Sequence, residues 1–253
     1  MVDDDDYTHD VDEPRYREIK DIQPNELHNA LDKLSLLGDD LYLHLQAVNL
    51  GVVDNFMNQL ELDLRSKMYD DDKPLELMHL VSALSQMWIF SAYELMRTWR
   101  GRAGKMITWA ENGGLKAKLQ VYEEHQGYDH FGRLHRAEQI KRVLNDPAII
   151  DRVKVDLKRT KMAFMRLEAL RIILAKHEIA KVKNSVALAP GYARIDRYSG
   201  SMNYELENGQ YSMGYVSRRD VADDIRAFLT NEVPSDEDLK DFEAYMRGPR
   251  QLE

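Results

Sequence analysis

Apolar residues recur along this chain first at helical and then at strand spacing. From Asn25 to about Tyr69, Leu27, Leu31, Leu34, Leu41, Leu45, Val48 and Val52 follow at three- and four-residue steps or their sums. The pattern predicts one long helix with that stripe turned to the core and with Gly38 and Gly51 as kink points. Asp70-Asp71-Asp72 closes it, and Pro74 suits the first turn of a second long helix running to about Asn112. Its stripe is Leu77, Val81, Leu84, Trp88, Leu95 and Trp99, and Gly113-Gly114 stops it. Shorter helices are predicted over Leu115 to Gln126 and Phe131 to Leu144, about a loop containing Gly127 and Gly132. Asp146-Pro147 opens a third long helix carrying Ile150, Val153, Leu157, Phe164, Leu167, Leu170 and Leu174 to about Lys183.

After Pro190 the period changes to two. Tyr192 to Tyr198, Ser201 to Leu206 and Tyr211 to Val216 alternate as strands, separated by Ser199-Gly200 and by the hairpin signal Asn208-Gly209. Ser217 caps an amphipathic helix with Val221, Ala222, Ile225 and Phe228, and a polar stretch with a short helix ends the chain. The expected fold is mainly α: a bundle of three long and two short helices, then a small antiparallel β meander and a C-terminal helix. The expected organisation is an acidic, disordered tail (1–24), the bundle (25–188), the meander packed on it (189–216), and a C-terminal helix with a polar tail (217–253). Tyr192, Tyr198, Tyr204, Tyr211 and Tyr215 crowd the meander, and tyrosine serves half-buried sheets and interfaces equally.

Composition refines this picture at a few points. The tail carries nine acidic residues against Arg15, Arg17 and Lys20, which is why disorder is expected there. The absence of cysteine removes disulfides and thiolate metal sites and fits a reducing, cytoplasmic setting. The acidic N-terminus lacks the pattern of a secretory signal, and no apolar run approaches the ~20 residues of a membrane span. A net charge of −9 disfavours non-specific nucleic-acid binding. Between Arg97 and Arg142, however, ten Lys and Arg face five Asp and Glu, a local excess of +5.

Two groups of residues suggest chemistry by type. His125, His130 and His135, with Glu124, Asp129 and Glu138, are imidazole and carboxylate donors of the kind that hold zinc or iron. Their five-residue steps do not share a helix face, so polar loop histidines are the competing reading and no metal is assigned. Tyr93, Glu94 and Arg97, followed by Trp99, Arg100 and Arg102, offer arginines for phosphate and aromatic rings for stacked bases. The same residues also read as a core tryptophan stripe beside a charged face.

Arg171, five intervening residues and His177 resemble the late-helix motif of ribonucleases in the HEPN superfamily of helical domains. Trp88, Phe90, Tyr93, Glu94 and Arg97 are similar to that superfamily's aromatic and acidic pattern. The resemblance implies a metal-independent ribonuclease of toxin or defence type, with RNA as its partner. His177 would then exchange protons and Arg171 would stabilise phosphate charge, at sites shared across a dimer. The competing reading pairs Arg171 with Glu168 one turn back. Walker, Rossmann, HExxH and Gly-x-Ser-x-Gly signatures are all missing. The leading expectation is therefore a non-enzymatic, homo-oligomeric helical scaffold or binding protein that needs no cofactor and no membrane. The HEPN-like ribonuclease and a histidine-based metal enzyme are its rivals.

Overall fold

The computed structural model describes residues 17–69, 74–124, 130–175, 191–208 and 211–248. Among them the chain is mainly helical, with a small antiparallel sheet and further helices after it. The first predicted helix divides into α1 (Glu26–Asp32) and α2 (Leu41–Tyr69). In the connection Leu36 takes a positive φ, and a Cβ on Gly38 would collide with the Asp32 carbonyl. Only glycine fits so close a return of the chain. Buried Asp40 then accepts from the backbone N–H groups of Tyr42 and Leu43, both at 3.2 Å, and so satisfies open donors at the start of α2.

α3 (Leu75–Glu111) spans 37 residues, about 55 Å, and buries Val81, Trp88, Leu95 and Trp99 as its periodicity predicts. α4 (Leu115–Glu123) and α5 (Phe131–Asn145) are the two shorter helices. The third long helix is interrupted at Thr160, giving α6 (Ala148–Arg159) and α7 (Lys161–Ala175). The Thr160 hydroxyl donates back to the Asp156 carbonyl at 2.8 Å and accepts from Arg100 at 2.7 Å, and hydroxyl back-bonding of this kind bends helices. Residues 176–183 of that prediction lie outside the described residues.

β1 (Ala193–Ile195), β2 (Met202–Asn208) and β3 (Tyr211–Ser217) form a sheet in the order β1-β2-β3, with Tyr204 opposite Ala193 on one side and Val216 on the other. The central strand joins the bundle core through Met202, Tyr204 and Leu206, whereas Tyr192, Tyr198 and Tyr215 are exposed. α8 (Arg218–Arg226) opens with a capping box between Ser217 and Asp220 and buries Val221, Ala222 and Ile225. α9 (Asp236–Arg247), capped by Ser235, packs on α7 with Leu239 as its buried residue. The fold begins earlier than the tail assigned to 1–24 implied. Ile22 is buried, and Arg17 pairs with Glu26. Apolar burial and a charge pair thus hold 17–24 despite its acidic composition; residues 1–16 lie outside the described residues. Among the described residues, no helix is long and apolar enough to cross a membrane.

Candidate binding face

α2 is the opposite way round from what its leucine spacing predicts. Its buried face is Leu43, Ala47, Leu50, Asp54, Met57, Asn58, Glu61 and Leu64, so three polar side chains enter the core together. α8 supplies their partners. Arg218 gives Glu61 two parallel bonds, Nε to Oε1 at 2.9 Å and Nη2 to Oε2 at 2.7 Å, and also reaches Asp54 and the side-chain Oδ1 of Asn58. Arg226 bridges Asp54 and Asp223. Arg219 donates to Asp223 at 3.2 Å and to the Arg17 carbonyl at 2.6 Å. Three buried guanidinium groups thus meet two buried carboxylates, Asp54 and Glu61, and the partly exposed Asp223. Burial works to depress the Arg218 pKa, but attraction to Glu61 and Asp54 outweighs it and holds the guanidinium above its ordinary value. The Arg218 guanidinium lies 5.4 Å from the ring centroid of Trp88, whose indole N–H donates to the Leu50 carbonyl at 3.3 Å.

The turn before β2 locks onto the same helix. Ser201 Oγ donates to Glu61 at 2.9 Å, and Arg65 donates to the Tyr198 carbonyl at 2.9 Å. Gly200, at φ +74°, sits so close that a Cβ would collide with the Glu61 carbonyl.

Because the inner stripe of α2 is polar, its apolar residues face outward. Leu41, Leu45, Val52, Val53 and Phe56 are exposed, Leu45 by 49%, Val52 by 63% and Phe56 by 55%. Between α2 and α3 lies a groove of about 550 Å³ floored by Leu50 and Trp88 and walled by Val53, Met87 and Phe90. Exposed Leu80 and Met87 of α3 continue the apolar surface. At the other end Tyr42 lies against Gly132, beside exposed Phe131 and Leu134 of α5. His44, the one imidazole on α2, is bound to Asp32 at 2.9 Å, and between Leu41 and Phe56 the other ionisable side chains of α2 are exposed Tyr42 and inward Asp54. Trp88 of the floor packs on Arg218 of the ion network and holds the Leu50 carbonyl, so the network supports the shape of the groove.

The residues singled out by sequence chemistry are placed differently. Trp99 is fully buried, and its N–H donates to the Ser35 carbonyl at 2.8 Å. It has no free face for a base. Arg100 donates to the Leu157 carbonyl and Thr160 and lies 4.9 Å from the Phe164 centroid, and burial lowers its pKa to about 10. Arg102 pairs with Asp40, and Arg97, on the surface, pairs with Glu94, which raises its pKa. The basic excess between 97 and 142 is further neutralised by Asp39 on Arg142 and by Glu123 and Glu138 on Lys141. His130 caps α5 by accepting from Gly132 N at 3.1 Å, and His135 packs 5.8 Å from the Phe131 ring. Among the described residues, no His, Asp and Glu are grouped as a metal site would require. His125, Asp129 and His177 lie outside the described residues. Arg171 lies 5.5 Å over the Tyr93 ring.

The ion network and the outward apolar face were both absent from the sequence expectations. A signal existed: Asp54, Asn58 and Glu61 recur at four and three residues on one helix face, and α8 carries three arginines within nine residues. No family model, curated protein or solved structure matches this chain.

Proposed function

We propose that this protein is a non-enzymatic, homo-oligomeric helical scaffold whose contact surface is the outer face of α2 with its groove against α3. The supporting observation is that α2 exposes Leu41, Leu45, Val52, Val53 and Phe56 to solvent while burying Asp54, Asn58 and Glu61. A helix costs stability when polar groups must be paired in the core and apolar groups left in water. Contiguous exposed apolar surface of this kind marks interaction sites on soluble proteins.

Equilibrium sedimentation across a wide concentration range tests the reading. The wild type is expected to self-associate, and Phe56→Glu to shift the equilibrium to monomer while the helical circular dichroism is unchanged. A wild type that stays monomeric at the highest concentrations overturns it.

A further inference from the structure

We infer that a second copy of this chain docks on α2 by an antiparallel, two-fold pairing of α2 with α2 of the partner, centred on Asn49. The inference rests on the scaffold reading and specifies its geometry. Counted from exposed Asn49, the outward apolar residues fall at −8 (Leu41), −4 (Leu45), +3 (Val52), +4 (Val53) and +7 (Phe56). The spacing is close to palindromic. When two such helices run antiparallel about Asn49, Leu45 of one meets Val53 of the other, and Phe56 meets exposed Tyr42 beside Leu41. A two-fold interface requires one surface to complement itself in this way.

The polar residue at the centre suits that position. An Asn side chain carries both a donor and an acceptor, so it satisfies its own copy across the axis with two N–H···O bonds. One such residue in an apolar helix seam fixes register and orientation. Sliding the pair by one turn would set each Asn49 against an aliphatic side chain and lose both bonds.

Charge at this face permits a second copy. The chain carries −9, so two copies repel unless they meet where neither is charged. From Leu41 to Phe56 the sole carboxylate on α2 is Asp54, and it is buried on the opposite side of the helix, bound to Arg218 and Arg226; on the α3 side of the groove Glu94 is offset by its pairing with Arg97. The face runs about 23 Å along α2, and with α3 beside it is about 20 Å wide. That is on the order of 500 Å² in projection, more with side-chain relief, against the ~800 Å² per partner of a standard interface.

The natural absence of cysteine makes the test direct, because any introduced thiol is the sole one in the chain. At an interaxial distance of ~8–10 Å, residues on the axis bring their Cα atoms within the ~4.4–6.8 Å that a disulfide needs. Asn49→Cys in the full chain is expected to form a disulfide-linked dimer under mild oxidation. A mixture of Leu45→Cys and Val53→Cys is expected to give the heterodimer in preference to either homodimer. Asp63→Cys is exposed on the same helix face, but its two copies would lie about 42 Å apart and should remain uncrosslinked. Val52→Glu, at an exposed position that leaves the monomer fold intact, should weaken the dimer at least ~100-fold by opposing two charges near the axis.

A protein that sediments as a dimer but crosslinks no faster through residue 49 than through residue 63 overturns this geometry and leaves the scaffold reading standing. A protein that is monomeric throughout overturns both.

Discussion

Arg218 and Glu61 face each other with both side chains sealed from solvent, joined by parallel N–H···O bonds of 2.9 and 2.7 Å. They lie 157 residues apart in sequence and tie α8 to the middle of α2. Removing one member of a buried ion pair leaves the other charged without compensation, at a cost of about 3–5 kcal/mol. Arg218→Met is expected to lower unfolding stability by that amount in urea titration. Arg218→Met with Glu61→Met should recover part of it, since the stranded carboxylate has gone. A loss under about 1 kcal/mol for the single variant would show that α8 is held by its apolar residues alone.

The same pair explains where sequence reading succeeds and fails. On α3 and α7, apolar residues at helical spacing enter the core, because no charged side chain of either helix is fully buried there: Val81, Trp88, Leu95, Leu167 and Leu170 are all enclosed. On α2 two stripes compete. Leu41, Leu45 and Val52 follow the better apolar period, but the face holding Asp54, Asn58 and Glu61 is the one that enters the core. What decides between them is the arrival of Arg218 and Arg226 from the far end of the chain, and periodicity carries no information on contacts at that separation. The breaks at Leu36–Gly38 and Thr160 are likewise tertiary in origin. One is a close chain return and the other a hydroxyl engaged by Arg100. The meander and the Ser217 cap were legible because hairpin and capping signals act within a few residues.

Gly200 and Gly113 have nearly the same φ, +74° and +73°, in different surroundings. At Gly113 an added Cβ meets nothing within 4 Å, so Gly113→Ala should cost only the ~1–2 kcal/mol of a left-handed alanine. At Gly200 the same methyl must also displace the backbone of α2 at Glu61. Gly200→Ala is expected to be the more damaging by at least ~1 kcal/mol in thermal or urea unfolding. Equal costs would mean that the turn does not press on the helix.

α9 should detach in acid before the rest of the fold. Three of its carboxylates are held below their ordinary pKa values: Asp238 by its bonds to Ser235, Asp236 by Lys158, and Glu243 by Lys161. A depressed folded pKa gives stabilisation that is present above the unfolded value and lost as pH falls through the folded one. The window therefore lies below about pH 4. Amide hydrogen exchange is expected to show α9 protected at pH 5 and open near pH 3, and Glu243→Gln should raise the pH at which opening begins. Unchanged protection of α9 across this range would show that Leu239 and its apolar contacts hold the helix without its charges.

Arg171 lies 5.5 Å over the ring of Tyr93, which itself stacks on Phe164 with centroids 5.7 Å apart and planes 11° from parallel. The guanidinium thus covers an aromatic pair joining α3 to α7, and a cation over a ring contributes about 0.5–2 kcal/mol. A structural Arg171 and a phosphate-binding Arg171 make opposite predictions. For a scaffold, Arg171→Ala lowers the melting temperature by the equivalent of about 1–2 kcal/mol, counting the lost packing of the side-chain stem, and Arg171→Lys restores part of it. The wild type then leaves single-stranded RNA intact in chelator, and His177→Ala changes nothing in that assay. For a metal-free ribonuclease, the wild type cuts RNA in chelator, and both Arg171→Ala and His177→Ala abolish cutting without a loss of stability that would explain it. Measuring melting temperature and RNA integrity on the same four preparations separates the two, and chelator-resistant cutting that depends on both residues would overturn the non-enzymatic reading.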